Sequence, residues 1–184
     1  MRARTVLATL LTLPLATPAA AQQHKSAKPA AAHPARAAGP TAIGRFESWT
    51  AVTNKEAGQA VYYAFTRASS SVPALPGRGD VVMTVTERPG GRDSVAISAG
   101  FAYAANAVVM VSADATMFEF YTAGRSAFAH EGHAAVLAFQ KARQLQARSP
   151  APKGKTATDS FSLRGFSAAY AAVQKACPFG KAAP

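Results

Sequence analysis

The feature that most constrains the fold is a succession of short strand patterns between residues 43 and 124. Apolar and β-branched residues recur with a period of two, and strands are predicted at residues 46–52, 61–66, 80–87, 94–99, 107–112 and 117–122. Clusters of glycine and proline mark the turns, as at residues 73–79 and 89–91. Strands this short must pair and stack to bury one face each. The pattern therefore predicts a mainly β, antiparallel, β-sandwich-like fold.

The alternation also predicts which side of a strand is buried. In the segment 80–87, the face expected to pack inward carries Val81, Met83 and Val85. The opposite face is expected to be wetter and carries Val82, Thr84 and Thr86. No helical pattern long enough for a crossover separates these strand segments, so the sequence disfavours a parallel α/β sheet.

Two short helices are predicted after these strands, which makes the content α+β. The first covers residues 131–142, and its apolar spacing alone would extend it to Leu145. Residues 160–163 resume strand character. The second helix begins at Phe166, closes the domain and is ended by Pro178. Its buried face is predicted to carry Phe166, Ala169, Tyr170, Val173 and Cys177.

The composition of the first 43 residues differs from that of the rest and predicts export. Two arginines, an apolar run over residues 6–15 and the small residues 19–21 form the layout of a secretory signal peptide. The run is too short for a spanning helix, which needs roughly 20 apolar residues, and no transmembrane segment is expected after cleavage. The predicted organisation is a signal peptide at 1–21, a disordered Ala/Pro/Lys-rich linker at 22–43, a folded domain at 44–178 and a tail at 179–184.

The chain is basic, with a formal net charge of +11, of which +9 remains when Arg2 and Arg4 leave with the signal peptide. Nucleic acid is not the predicted partner, because the chain is expected to be exported and acidic residues are spread through the domain. The exception is residues 141–155, where five cations occur without an acid. This stretch is either a solvated face or a basic face attracted to anionic surfaces. The cations of the linker leave the same two alternatives open.

The closing segment carries a resemblance to a known family. Its most specific part is TDSFSL at residues 158–163, followed by GFSAA at residues 165–169 and a late cysteine. Weaker parts are GRFESW at residues 44–49 and RGD at residues 78–80. Over residues 44–177 the chain resembles the invasion-associated locus B family.

This resemblance implies an exported β-sandwich-like domain of the Gram-negative envelope. The family is named for a role in host-cell invasion and has no established catalytic activity, so no active-site residue is carried over. The family pattern also implies a strand at residues 144–148, which conflicts with the helix extended by spacing. Members usually carry a Cys-Tyr pair in the second strand, where this chain has Val61 and Tyr62. The resemblance therefore leaves Cys177 without an intrachain disulfide partner.

An odd cysteine in an oxidising compartment leaves three interpretations open. Cys177 is a buried small apolar residue, the site of an intermolecular disulfide that forms a dimer, or a nucleophile. Its position at the C-terminal end of a helix disfavours the thiolate. Burial is therefore the first hypothesis, a disulfide dimer the second and catalysis the third.

His130 and His133 lie on either side of Glu131 and are weak candidates for a metal site, since imidazoles and carboxylates are zinc ligands. The two histidines are three residues apart, whereas those of the zinc protease motif are four apart, and no third ligand is evident. Surface positions at the start of a helix are the preferred interpretation. Neither a metal nor a cofactor is predicted.

Arg78, Gly79 and Asp80 spell an integrin-recognition tripeptide. Three-residue matches are frequent, and the same residues suit a tight turn before the next strand, which is the preferred interpretation. Asp159 is predicted to cap a turn or to hold a buried hydrogen bond. A role for it in acid-base catalysis is disfavoured, because such catalysis uses two groups of separated pKa.

The sequence has no phosphate-binding loop, dinucleotide fingerprint, CxxC pair or nucleophile elbow. We therefore predict that the protein is not an enzyme. Its predicted role is binding or structural support in the periplasm or cell envelope of a Gram-negative bacterium, with a protein or polymer of the envelope or of a host as partner. The alternative is a hydrolase or metal-dependent enzyme of unfamiliar type. That alternative would be favoured if His130, His133 and a carboxylate converged in a cleft.

Overall fold

The computed structural model describes residues 39–177, in which strands dominate and two helices follow them. The strands are β1 (Thr41–Phe46), β2 (Trp49–Glu56), β3 (Gln59–Arg67), β4 (Ser70–Val72), β5 (Val82–Arg88), β6 (Gly91–Ser98), β7 (Val108–Ala113), β8 (Thr116–Ala123), β9 (Ser126–Ala129), β10 (Gln144–Ala151) and β11 (Lys155–Ser162). The helices are α1 (Gly132–Phe139) and α2 (Phe166–Ala176). A single 3-10 turn, Pro152–Gly154, joins β10 to β11.

The eleven strands form one antiparallel open sheet in the order β1-β2-β3-β5-β6-β9-β8-β7-β10-β11-β4. Tight turns place consecutive strands side by side. In the β2–β3 turn, for example, Ala57 and Gly58 both take positive φ, at 49° and 82°. The predicted fold, mainly β and antiparallel with a second helix that closes the domain, is confirmed.

The sheet curls so that its two ends approach each other. β3 and β4 lie far apart in the strand order, yet only Ala68 and Ser69 connect them in the chain. The Trp49 indole of β2 donates a hydrogen bond to the Ser162 carbonyl of β11 at 2.9 Å, and Ser69 N donates to the Ser160 carbonyl at 2.8 Å. The two halves of the sheet thereby face each other across a core, as the strand pattern predicts.

The inner side of the sheet follows the predicted alternation. Val81, Met83 and Val85 are buried. Val82, Thr84 and Thr86, on the other side of the same segment, are half-buried. α2 covers β1, β2 and β3, and α1 packs against β6, so one continuous apolar core lies beneath both helices.

Phe166 is the central side chain of this core. Its ring centroid lies 4.8 Å from that of Trp49, 5.9 Å from that of Phe139 and 5.8 Å from that of Tyr170. The phenylalanine therefore joins β2, α1 and α2 in one aromatic cluster. The backbone of Gly165, the residue before Phe166, lies against β1. A Cβ added at Gly165 would lie 2.1 Å from the Phe46 carbonyl oxygen.

Two boundaries predicted near the start of the domain are wrong. The strand predicted at 46–52 is split by a turn at Glu47 and Ser48, and its halves belong to the paired strands β1 and β2. The reversal sets Phe46 opposite Trp49 and buries the tryptophan completely. Residues 41–43, assigned to the disordered linker, lie in β1, where pairing with β2 binds their backbone into the sheet.

The segment after α1 follows the family pattern rather than the apolar spacing. α1 ends at Phe139 and β10 begins at Gln144, so the predicted helix extension to Leu145 is wrong and the predicted strand at 144–148 is correct. Leu145 is apolar because it is buried in the sheet, where it pairs with Phe161 and Ala113. Apolar spacing could not distinguish a helix face from this inner strand face.

The predicted signal peptide, most of the linker and the tail at 179–184 lie outside the described residues. Within residues 39–177, neither helix has the length and apolar character needed to span a bilayer.

Candidate functional site

A buried network of charged and polar side chains links the β5–β6 hairpin to both helices. We call it the Asp93 network, and its members are Glu87, Arg92, Asp93, His133 and Tyr170. The carboxylate of Asp93 in β6 has Oδ2 at 2.7 Å from His133 Nδ1 in α1. Its Oδ1 accepts a short hydrogen bond from the Tyr170 hydroxyl in α2. Asp93 therefore connects one strand to two helices.

Glu87 forms the second half of the Asp93 network. Its Oε1 accepts a hydrogen bond from Asp93 N at 3.1 Å, and its Oε2 lies 2.5 Å from Arg92 Nε. Arg92 also donates to the backbone carbonyl of Cys177 at the end of α2. All four carboxylate oxygens of Glu87 and Asp93 are thus engaged within the domain.

Backbone geometry fixes this arrangement. Asp93 takes a positive φ of 54° within β6, a conformation that costs energy in a non-glycine residue. A Cβ at Gly132 would lie 1.8 Å from the Asp93 carbonyl oxygen, so a larger residue does not fit there. The close approach at Gly132 brings the next residue, His133, to the Asp93 carboxylate.

Burial and hydrogen bonding together give the two carboxyl groups of Glu87 and Asp93 different pKa values, and burial dominates at Glu87. Burial raises the pKa of Glu87 to about 7, and the neighbouring Asp93 contributes to the rise. Burial acts on Asp93 in the same direction, but hydrogen bonds from Tyr170 and His133 outweigh it and hold the pKa of Asp93 below its ordinary value. Burial and the hydrogen bond to Asp93 raise the pKa of the Tyr170 hydroxyl. Asp93 is therefore ionised at neutral pH, whereas Glu87 is only partly ionised there.

The raised pKa of Glu87 predicts a pH-dependent stability. The folded chain has a Glu87 pKa of about 7 against an ordinary value of 4.5, so it binds more protons than the unfolded chain between these limits. The contribution of Glu87 to the free energy of unfolding should decrease by up to ~3 kcal/mol as the pH rises through that window. Glu87→Gln removes the titration, and urea unfolding from pH 4.5 to 8 should give a flatter profile for this variant.

A matched control for that measurement is Glu56→Gln. Glu56 pairs with Arg88 at the surface, where both side chains are exposed. The free energy of unfolding of the Glu56→Gln variant should depend on pH in the same way as that of the unmodified chain. If the pH dependence of the Glu87→Gln variant also matched that of the unmodified chain, the predicted titration of Glu87 would be contradicted.

The two histidines do not converge on one point. His133 contacts Asp93 and keeps 72% of its side chain exposed, whereas the His130 ring lies 5.0 Å from that of Tyr121 on β8. Within residues 39–177, no group of three or more His, Cys, Asp and Glu side chains is placed to hold a metal ion. The Asp93 network can orient an exposed imidazole, while its carboxylates bind other parts of the domain.

Cys177 lies at the C-terminal end of α2 with 1% of its surface exposed. Burial raises the pKa of its thiol. Among the described residues it is the sole cysteine and forms no disulfide. In this position the buried thiol lies beside Arg92, whose charge and hydrogen bond partly offset the effect of burial on its pKa.

A second buried ion pair involves two residues that the sequence singled out separately. Arg78 Nη1 and Nη2 donate to the two carboxylate oxygens of Asp159 at 2.8 and 2.7 Å, and the side chains are only 6% and 2% exposed. Ser71 donates to the same carboxylate at 2.7 Å, and Arg78 Nε donates to the Ala99 carbonyl at 2.7 Å. The guanidinium also lies 5.0 Å over the Phe101 ring.

This pairing determines what the RGD tripeptide can do. Arg78 closes a turn by donating its backbone N–H to the Leu75 carbonyl at 3.2 Å, and Gly79 and Asp80 continue towards β5. Asp80 pairs at the surface with Arg67 at 3.3 Å. The buried arginine is not accessible to a receptor while the domain is folded.

The outer side of the sheet exposes an apolar surface. We call it the outer patch; it consists of Val108, Tyr121 and the half-buried Phe128, with Met117 on the same face of β8 beyond Glu119. Val108 and Tyr121 are cross-strand partners, as are Tyr121 and Phe128, whose rings stack at 5.5 Å. Met117 is 61% exposed and Tyr121 45% exposed. Contiguous exposed apolar surfaces of this kind mark interaction sites when they are large.

A basic groove borders the outer patch. Its volume is about 440 Å³, and its lining includes Val108, Met110, Arg148, Pro150 and Lys155. All five cations of the stretch 141–155 are exposed, and none of them pairs with a carboxylate of residues 39–177. Both alternatives stated for this stretch require exposed cations, so the exposure alone does not separate them; Arg148, Lys153 and Lys155 line grooves, whereas Lys141 and Arg143 do not.

The fold was compared with known proteins. No protein-family model matches the sequence, and the curated proteins give no significant match. Among solved structures, the crystal structure of invasion associated protein B from Bartonella henselae superposes with a TM-score of 0.54 at 17% sequence identity. The match covers 72% of this chain and 95% of the other. The chain has the fold of invasion associated protein B. The family resemblance predicted from the closing segment is thus confirmed at the level of the fold.

The invasion associated protein B fold brings together residues that the sequence left apart. Sequence patterns identified Arg78, Asp159 and His133 individually but gave neither the Arg78–Asp159 pair nor the His133–Asp93 contact. They also missed Glu87, which a period-two reading could have found. Glu87 continues the buried series that starts at Val81, so the alternation places a carboxylate inside the core.

Proposed function

We propose that the chain is an exported, noncatalytic binding protein of the bacterial envelope. The signal-peptide pattern at residues 1–21 supports export. The solved protein of the same fold is named as invasion associated, which supports an envelope or host surface as the place of action. In this proposal the sheet is a scaffold that presents a binding surface.

The observation that carries the proposal is the outer patch. Tyr121 and Met117 lie on β8, in the interior of the sheet order between β9 and β7, so a rigid backbone holds them in place. Exposed aromatic and methionine side chains are enriched at interfaces, because they offer large contact areas. A partner seated on the outer patch would remove this apolar area from water.

The geometry of the Asp93 network supports a noncatalytic role. Acid-base catalysis needs a carboxylate or imidazole directed at a substrate. The carboxylate oxygens of Glu87 and Asp93 instead bind Arg92, Tyr170, His133 and a backbone N–H. The two carboxylates therefore act as a clamp between the β5–β6 hairpin and the two helices, and among residues 39–177 the exposed His133 imidazole has no second titratable partner beside Asp93 with which it could share a substrate.

The experiment is a binding assay with the labelled mature protein on envelope fractions of the bacterium and on host cells. Met117→Ser combined with Tyr121→Ser should weaken saturable binding by about tenfold or more, because two exposed anchors are lost. The amount bound is measured as a function of protein concentration. Sequencing of the periplasmic protein should give an N-terminus at Gln22.

Leu137→Ser provides the control. Leu137 lies on α1 and is 45% exposed, the same fraction as Tyr121, but it is outside the outer patch. This variant should bind like the unmodified chain. Equal binding by the Met117 and Tyr121 double variant would contradict the proposal, as would a protein retained in the cytosol with its leader intact.

A further inference from the structure

The basic groove combines an apolar floor with cations on its rim. Val108, Met110 and Pro150 contribute apolar surface, and Arg148 and Lys155 contribute charge. Arg148 pairs across strands with Met110, which sets the guanidinium beside the floor on the outer side of the sheet. A guanidinium in this position can bind a carboxylate or sulfate through two parallel N–H donors.

A second groove lies on the other side of the β10–β11 turn, beside Arg78 and Phe101. Its volume is about 180 Å³, and Lys153 and Lys155 are among its lining residues. Lys155 therefore lines both grooves. An anionic ligand that contacts Arg148, Lys155 and Lys153 in succession must be extended, so the surface suits a polymer better than a single small anion.

The outer patch adds an aromatic platform at one end of this path. Tyr121 is the cross-strand partner of Val108, which lines the basic groove. An exposed tyrosine ring offers an apolar face with a polar tip. The apolar C–H face of a sugar ring packs against such a ring, while acidic groups of the same polymer reach the cations.

We propose that the basic groove and Tyr121 form a binding site for an acidic polysaccharide, a chain of sugar rings that carries carboxylate or sulfate groups. This inference deepens the proposed function and rests on it, since only an exported chain meets envelope or host-surface polysaccharides. The cations Arg148, Lys153 and Lys155 bind the acidic groups, and Tyr121 packs against a sugar ring.

Two features distinguish this ligand from the surface of an anionic membrane. The apolar side chains lie on strands and on the groove floor, whereas membrane-inserting proteins present an amphipathic helix or a projecting apolar segment. Glu119 is exposed on the outer side opposite Met110, one strand further from Arg148. Its charge repels a uniformly anionic surface laid flat across β8, whereas a polymer with spaced acidic groups can place an uncharged part of a sugar ring at Tyr121 and its acidic groups at the β10–β11 hairpin.

The test measures the affinity of the mature full-length protein for a heparin decasaccharide by isothermal titration calorimetry at near-physiological salt. Arg148→Gln combined with Lys155→Gln should reduce the affinity by about tenfold, and the salt dependence should become shallower because fewer counterions are released. Tyr121→Ala should reduce affinity about threefold, whereas Tyr121→Phe keeps the ring and should bind like the unmodified chain.

Lys141→Gln combined with Arg143→Gln is the charge-matched control. These residues are exposed cations of the same stretch but line neither groove. This variant should lose less than about threefold. Equal losses in the two double variants would overturn the site, because they would reflect net charge alone.

Other ligands provide the remaining arms. Neutral dextran should not bind, and single-stranded DNA or phosphatidylglycerol vesicles should bind more weakly than heparin. Tighter binding to either anionic competitor would overturn the inference.

If heparin does not bind, but binding to the envelope or host cells still depends on Met117 and Tyr121, the inference fails and the proposed function remains. If the Met117 and Tyr121 variant binds normally in that assay, the proposed function itself fails.

Discussion

Asp159→Asn should lower the free energy of unfolding by about 3–5 kcal/mol, because it leaves the buried Arg78 charge without a counter-charge. Asparagine has nearly the same shape as aspartate, so the loss comes from charge and hydrogen bonding. The Asp159 carboxylate accepts hydrogen bonds from both terminal nitrogens of Arg78 and from the Ser71 hydroxyl. Water cannot compensate easily, since both side chains of the pair are almost fully buried. Urea unfolding followed by far-UV circular dichroism measures the change.

Asp80→Asn is the matched control for that experiment. Asp80 pairs with Arg67, but the two side chains are 71% and 65% exposed. Surface pairs of this kind contribute little, so the variant should lie within ~0.5 kcal/mol of the unmodified chain. Similar losses for Asp159→Asn and Asp80→Asn would show that burial of the Arg78 pair does not matter. An Arg78→Met and Asp159→Leu double variant should recover part of the loss.

Phe166→Ala should lower the free energy of unfolding by about 3–5 kcal/mol. The phenylalanine is fully buried and its ring contacts those of Trp49, Phe139 and Tyr170, so truncation leaves a cavity where β2, α1 and α2 meet. The measurement is urea unfolding by circular dichroism. Fluorescence of Trp49, the single tryptophan, reports the local change in packing.

Phe65→Ala is the comparison for the aromatic core. Phe65 is half-buried on β3, and its ring lies 6.1 Å from that of Tyr63. Removal of this ring opens no enclosed cavity, so the loss should be at least about twofold smaller than for Phe166→Ala. Comparable losses would mean that the cluster around Phe166 does not hold the helices on the sheet.

The sequence predicts the elements whose side chains alternate over a long enough run. β5 is found because Val81, Met83 and Val85 repeat with a period of two. β4 and β9 are missed because three and four residues are too few to establish a period. The split at Glu47 is missed because Phe46 and Trp49 are both apolar, and a turn between them leaves no interruption in composition. β10 is predicted only by the family pattern, which places a strand at residues 144–148.

The contacts of the Asp93 network and of the Arg78 pair could not be predicted, because they depend on the strand order. Arg78 and Asp159 are 81 residues apart in the chain, and His133 is 40 residues from Asp93. Periodicity indicates that a charged residue faces inward, but it does not indicate which side chain pairs with that residue. A carboxylate at an inner position, as at Glu87 and Asp159, is nevertheless a usable signal that a partner must exist.

The covering of β1, β2 and β3 by α2 has a consequence for biosynthesis. A ribosome synthesises β1, β2 and β3 long before α2, so the apolar inner surface that includes Trp49 stays exposed to water until α2 has been made. The domain of residues 39–177 therefore cannot bury its whole core until α2 has been synthesised.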